Sequence, residues 1–165
     1  MDSFARAIEV LNRWIQRICI VFSGALFVLV IAQILSRYVI KISAPWTEEA
    51  ARYLMIWMAL LAAGIAFQKG EHFNIDFVTS RLGTKTRRNI AIFTGLLTSV
   101  FILCIIIWGI PFAILGFFTI SPGLEITMFL PYLAVPVAGG VMLLNLIVYL
   151  GGLRGAKGKE GPEGP

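Results

Sequence analysis

The residues best suited to chemistry cluster at the two ends of one apolar run. In residues 45–78, PWTEEAARYLMIWMALLAAGIAFQKGEHFNIDFV, Glu48, Glu49 and Arg52 precede a stretch that reaches Phe67 without a charge, and Lys69, Glu71, His72 and Asp76 follow it. Adjacent carboxylates suit acid–base work, and a histidine among acids suits a metal site. The spacing supports neither reading. His72 is the only histidine in the chain, and Cys19 and Cys104 lie far apart and outside any CxxC arrangement. No Ser/His/Asp or Cys/His constellation is visible, and no glycine-rich phosphate loop follows a strand. The chain is expected to be no enzyme, with no metal site and no cofactor.

The charges instead mark the ends of a membrane-spanning helix. Of the 165 residues 58% are hydrophobic, more than a soluble domain of this size can bury, so lipid is the expected solvent. Apolar stretches predict four spans at about 18–39, 47–68, 89–118 and 130–150, each near or above the roughly 20 residues that cross a bilayer, and none alternates like a barrel strand. The fold class predicted is an all-α integral membrane protein, one four-helix domain over 1–150. Residues 151–165, rich in Gly, Pro, Lys and Glu, read as a disordered cytoplasmic tail.

Two interfacial helices are expected in addition. Over about 3–16, Phe4, Ile8, Leu11, Ile15 and Ile18 share a face, with Arg6, Glu9, Arg13 and Arg17 elsewhere. Joined straight to the first span, this segment would make a helix about 55 Å long at 1.5 Å per residue, so a bend near Arg17 or a steep tilt is predicted. Between spans two and three, Asn74 as N-cap and Gly83 as stop predict a short helix over about 75–82. Lys85, Arg87 and Arg88 then oppose the dipole of the third helix, which makes lipid phosphates their expected partners.

Within the spans, Pro111 is expected to kink the third, and Pro136 with Gly139 and Gly140 to make the fourth locally irregular. Gly109 and Gly116 share a face that another helix could approach closely. Arg37, near the end of the first span, needs a partner, and Glu48 or Glu49 across the short hairpin is nearest in sequence. A cluster of Arg37, Glu48, Glu49 and Arg52 is therefore predicted to tie the first two helices together. Trp46 and Tyr38 would anchor the same level.

Charge distribution sets the topology. Three Lys or Arg precede the first span, five lie between the second and third, three follow the fourth, and the second hairpin has none. The positive-inside rule then places both termini in the cytoplasm and both hairpins outside. The net charge of +5 is thereby accounted for without nucleic acid as a partner. No acid sits in mid-span, so the chain is not expected to move ions or solutes alone.

The stretches IAQILSRYVI, residues 45–77 and FLPYLAVPVAGGVMLL together resemble the small membrane subunit of tripartite ATP-independent periplasmic (TRAP) transporters. The specific sets are Trp46, Glu48, Glu49, Arg52 and Tyr53, then Gly70, His72 and Asp76, with Pro131 and Pro136 in support. The resemblance covers about residues 15–150. It implies a scaffold in a bacterial inner membrane, paired with a large elevator-type permease subunit that carries the substrate and sodium sites. A periplasmic substrate-binding protein would deliver a carboxylate of the sialic acid or C4-dicarboxylate class, with Lys41 and Glu125 on the hairpins as candidate docking residues. The alternative, a membrane anchor of a respiratory or other complex, would usually need a second histidine for haem. A four-helix multidrug carrier would want a carboxylate in its first helix, which has none.

Overall fold

The computed structural model describes residues 2–42, 44–67 and 84–155. Four long helices account for most of them: α1 Asp2–Leu35, α2 Pro45–Ala66, α3 Thr84–Leu115 and α4 Phe129–Gly155. All four are long and apolar enough to cross a membrane. The described residues contain no strand, only one antiparallel bridge between Ile120 and Thr127. The helix predicted over 75–82, with Gly70, His72 and Asp76, and the tail beyond Gly155 lie outside the described residues.

The first helix differs from expectation. Residues 3–16 do not form a separate interfacial helix: they are the first half of α1, which runs through Arg17 without a break and continues into a π-helical turn, Ser36–Ile40. The physical reason lies in which face is buried. Ala5, Ile8, Asn12, Ile15, Cys19, Phe22, Leu26, Leu29, Gln33 and Ser36 are buried or half-buried, in alternating steps of three and four residues, with Ala25 half-buried beside them. That is a heptad seam, and it runs the full length of the helix. Leu11 and Ile18, expected to share an apolar face with Ile8 and Ile15, remain about 40% exposed beside it.

The helices stand in the order α1, α2, α4, α3: α2 packs on α1 and on α4, and α3 packs on α4. The outer helices α1 and α3 share no extensive contact, so the row is open rather than closed into a bundle. Its centre is apolar, with Ile15, Leu61, Ile65 and Val141 joining three helices and Ile102, Leu146 and Phe67 filling the α3–α4 side.

Close approach in this row depends on glycine. In hydrocarbon the driving force is packing rather than water release, so small residues sit where helices meet. A Cβ at Gly64 would lie 2.9 Å from Val141 Cγ1, and one at Gly139 would lie 2.8 Å from Ile106 Cγ1. The shared face of Gly109 and Gly116 is confirmed, Gly109 against Pro136 and Gly116 against the backbone of Met128 and Phe129. Pro111 and Pro136 do not break their helices; both sit inside continuous α-helix. Pro131 falls in the first turn of α4, where a missing N–H costs nothing.

Candidate functional site

Both hairpins leave the row at the same end, and there the polar groups converge. The α1–α2 connection is short: Lys41 turns the chain in the left-handed region (φ 60°), and α2 starts at Pro45. Thr47, 2% exposed, donates its hydroxyl to the Ala44 carbonyl at 2.7 Å and closes the first turn. The α3–α4 connection is a tight hairpin, in which Ser121 N–H bonds the Ile126 carbonyl (2.9 Å) and Met128 N–H bonds the Thr119 carbonyl (2.9 Å).

Glu49 joins the two. Its Oε2 accepts the Ser121 hydroxyl, the Gly123 N–H (3.1 Å) and the Leu124 N–H (3.0 Å). Three donors on one carboxylate oxygen make a cradle of the kind that backbone turns offer to anions. The approach is close enough that a Cβ on Gly123 would lie 3.0 Å from Glu49 Cδ, and Ser121 is fully buried beneath it. One turn along α2, Tyr53 donates its hydroxyl to Met128 Sδ at 3.2 Å, a second tie to the same hairpin.

No ion pair within 4.0 Å joins the predicted cluster of Arg37, Glu48, Glu49 and Arg52, and Arg52 acts on Glu49 only as a nearby charge. Among the described residues the one ion pair within 4.0 Å is Glu9 with Arg13, on α1. Glu48 Oε1 instead accepts from Gln33 Nε2 at 3.1 Å, and Glu49 is taken by the second hairpin. Arg37 and Arg52 are exposed. The reason is steric order: α2 lies between α1 and α4, so its first turn meets the α3–α4 hairpin, and backbone N–H groups outcompete a flexible guanidinium. Gln33, Arg37, Lys41, Thr47 and Glu48 line a cleft of about 230 Å³ between α1 and α2. Glu125 is exposed on the hairpin with φ 55°. Trp46 is about half exposed and Tyr38 is 74% exposed. The backbone of Lys85, Arg87 and Arg88 forms the first turn of α3; their side chains lie outside the described residues.

A second polar tie, which sequence reasoning missed, closes the opposite end. Asn12 Nδ2 donates to Asn145 Oδ1 at 2.6 Å, Asn145 Nδ2 donates back to Asn12 Oδ1 at 3.1 Å and also to the Gly64 carbonyl at 3.0 Å. The two side chains are 1% and 0% exposed. One network thus spans α1, α2 and α4. The available signal was an asparagine inside each of two apolar helices, since a buried amide must find partners. No described side chain with a buried polar atom is left without a hydrogen bond.

Nothing in this arrangement resembles a reaction centre. Among the described residues no group of three His, Cys, Asp or Glu side chains is placed to hold a metal. The fold and its two polar ties define a multi-pass helical membrane protein whose polar groups connect its own elements. The family model described as "Tripartite ATP-independent periplasmic transporters, DctQ component" matches residues 26–154, and the chain belongs to that family: it is a TRAP transporter small permease subunit, not an enzyme. Similar proteins include the sialic acid TRAP transporter permease protein SiaT of Haemophilus influenzae, 40% identical over 52% of this chain and 14% of that protein. The sialic acid TRAP transporter small permease protein SiaQ of Vibrio cholerae is 29% identical over 61% of this chain and 58% of that protein. The C4-dicarboxylate TRAP transporter small permease protein DctQ of Rhodobacter capsulatus is 30% identical over 61% and 45%. The match thus spans about half the length of the small permease relatives, and a seventh of SiaT.

Proposed function

We propose that the chain is the immobile brace of a sodium-driven carboxylate transporter. It pairs in a bacterial inner membrane with a large permease subunit that carries the solute and the sodium ions, and its hairpin end faces the periplasm and helps receive a substrate-binding protein. Lys41 and Glu125, exposed at that end, are its contact residues. The termini lie in the cytoplasm, as the lysine and arginine distribution requires. The solute is of the sialic acid or C4-dicarboxylate class, after the relatives' names.

The observation that carries this reading is the pair of polar ties at opposite ends of the row. Glu49 fixes α2 to the α3–α4 hairpin, and Asn145 fixes α4 to α1 and α2. A part clamped at both ends is suited to stay still while a neighbour moves. The described spans hold no mid-membrane carboxylate of the kind that ion-coupled carriers use, which supports placing the coupling in the partner.

The test is reconstitution. In proteoliposomes containing both membrane subunits and the binding protein, a sodium gradient should drive uptake, Glu49→Ala should lower it, and the binding protein's affinity for its solute should stay unchanged. This chain alone should leave sodium and solute gradients intact. Coupled flux from the chain in isolation would refute the role assigned here.

A further inference from the structure

We infer that the polar cleft between the end of α1 and the start of α2 is a binding site for a zwitterionic phospholipid headgroup, its phosphate held by Arg37 and Lys41 and its ammonium facing Glu48. The inference does not rest on the transporter reading; it needs only that the four helices span a membrane.

The charges in the cleft come from Arg37, Lys41 and Glu48. Neither cation has a carboxylate within 4.0 Å among the described residues. Glu48 gives one bond to Gln33 through Oε1, and a carboxylate has further lone pairs to offer. A simple anion would satisfy the cations and leave Glu48 beside a like charge. A headgroup carrying both signs a few bonds apart matches all three residues. Ethanolamine fits better than choline, since a primary ammonium brings N–H donors to Glu48 and a quaternary one brings none.

The backbone that carries the cations has its own hydrogen-bonded geometry without a ligand. Ser36–Ile40 form a π-helical turn, a rare geometry that recurs at functional sites. Ser36 closes it at both ends: its carbonyl accepts the Ile42 N–H at 3.0 Å and its hydroxyl donates to the Ile42 carbonyl at 2.7 Å. Lys41 follows in the left-handed region, where a residue with a side chain is uncommon.

The surroundings select a lipid over a soluble zwitterion. Val39, Ile40 and Ile42 are 61–70% exposed beside the cleft, an apolar apron against which an acyl chain would lie. Tyr38 and Trp46 stand exposed at the same end, where aromatic rings sit at headgroup depth.

Native mass spectrometry of the full chain, purified and stripped of lipid, tests the site. The probes are short-chain phosphatidylethanolamine, phosphatidylcholine and phosphatidylglycerol, with free phosphoethanolamine and inorganic phosphate as soluble competitors. One phosphatidylethanolamine should bind about tenfold more tightly than either other lipid. The double variant Arg37→Gln/Lys41→Gln should lose about tenfold in that affinity. The isosteric Glu48→Gln should keep lipid binding and lose the preference for ethanolamine over glycerol. Equal affinity for the three lipids, or unchanged binding in the double variant with its helicity intact, would overturn the assignment. Displacement by either soluble competitor at the lipid's own concentration would overturn it in favour of a small-ion site.

Discussion

Replacing Asn145 by leucine tests the inner tie most directly. Asn145 makes three hydrogen bonds, two with Asn12 and one to the Gly64 carbonyl, and is fully buried. Leucine has the same number and branching of side-chain heavy atoms but a larger volume, so the change removes polarity, leaves no cavity and adds some overpacking. Between membrane helices a side-chain hydrogen bond averages about 0.6 kcal/mol and reaches about 1.7, because the unfolded chain finds other partners. Leaving polar atoms buried without their bonds costs about 1–3 kcal/mol. Asn145→Leu removes all three bonds and is expected to cost about 2 kcal/mol, a fall in Tm of about 4–8 °C for a chain of this size. Asn12→Leu removes the two shared bonds and leaves the one to Gly64, so about 1 kcal/mol is expected. The double variant should be less destabilised than the sum, by a coupling of about 1 kcal/mol. Thermal unfolding in detergent, followed by circular dichroism, gives all four corners of the cycle. Strict additivity, within about 0.3 kcal/mol, would show that the two amides do not act together and would remove the inner tie from the argument.

At the other end, Glu49→Ala should release the hairpin, with hydrogen exchange at the Gly123 and Leu124 amides rising on the order of tenfold while amides in mid-α4 stay protected. Two glycines should respond in opposite directions. Gly116→Ala would place a Cβ 2.6 Å from the Phe129 backbone nitrogen and should destabilise by about 1–3 kcal/mol, whereas Gly24→Ala meets nothing within 4 Å and should stabilise by about 0.8 kcal/mol. Arg37→Gln in lipid-free detergent should change stability by less than about 0.5 kcal/mol, because no ion pair is lost. A drop of about 2 kcal/mol there would restore the abandoned glutamate pairing.

Much of this architecture was legible from composition alone. Run length gives four spans, and the spacing of Gly109 and Gly116 foretells a close helix contact, because hydrocarbon leaves packing as the main attraction. What failed was partner choice. Arg37 was paired with Glu48 and Glu49 on nearness in the chain, but the row places α4 beside α2, and Glu49 meets residues more than seventy positions away. The seam on α1 was misread for a related cause. Ile8 and Ile15 share the apolar face read as interfacial, but the structure buries them on a seam that also holds Asn12, whose partner at Asn145 cannot be inferred from either residue alone.

The open row has a mechanical consequence. Among the described residues, a palisade one helix thick possesses two broad sides and encloses no channel between its helices. Its flanks are faced with Ile20, Phe27 and Val28 on α1 and Phe93, Phe101 and Trp108 on α3, all more than 60% uncovered. Lipid lies against these greasy planks wherever no protein covers them, so the thickness of the surrounding membrane becomes a variable in how the row tilts.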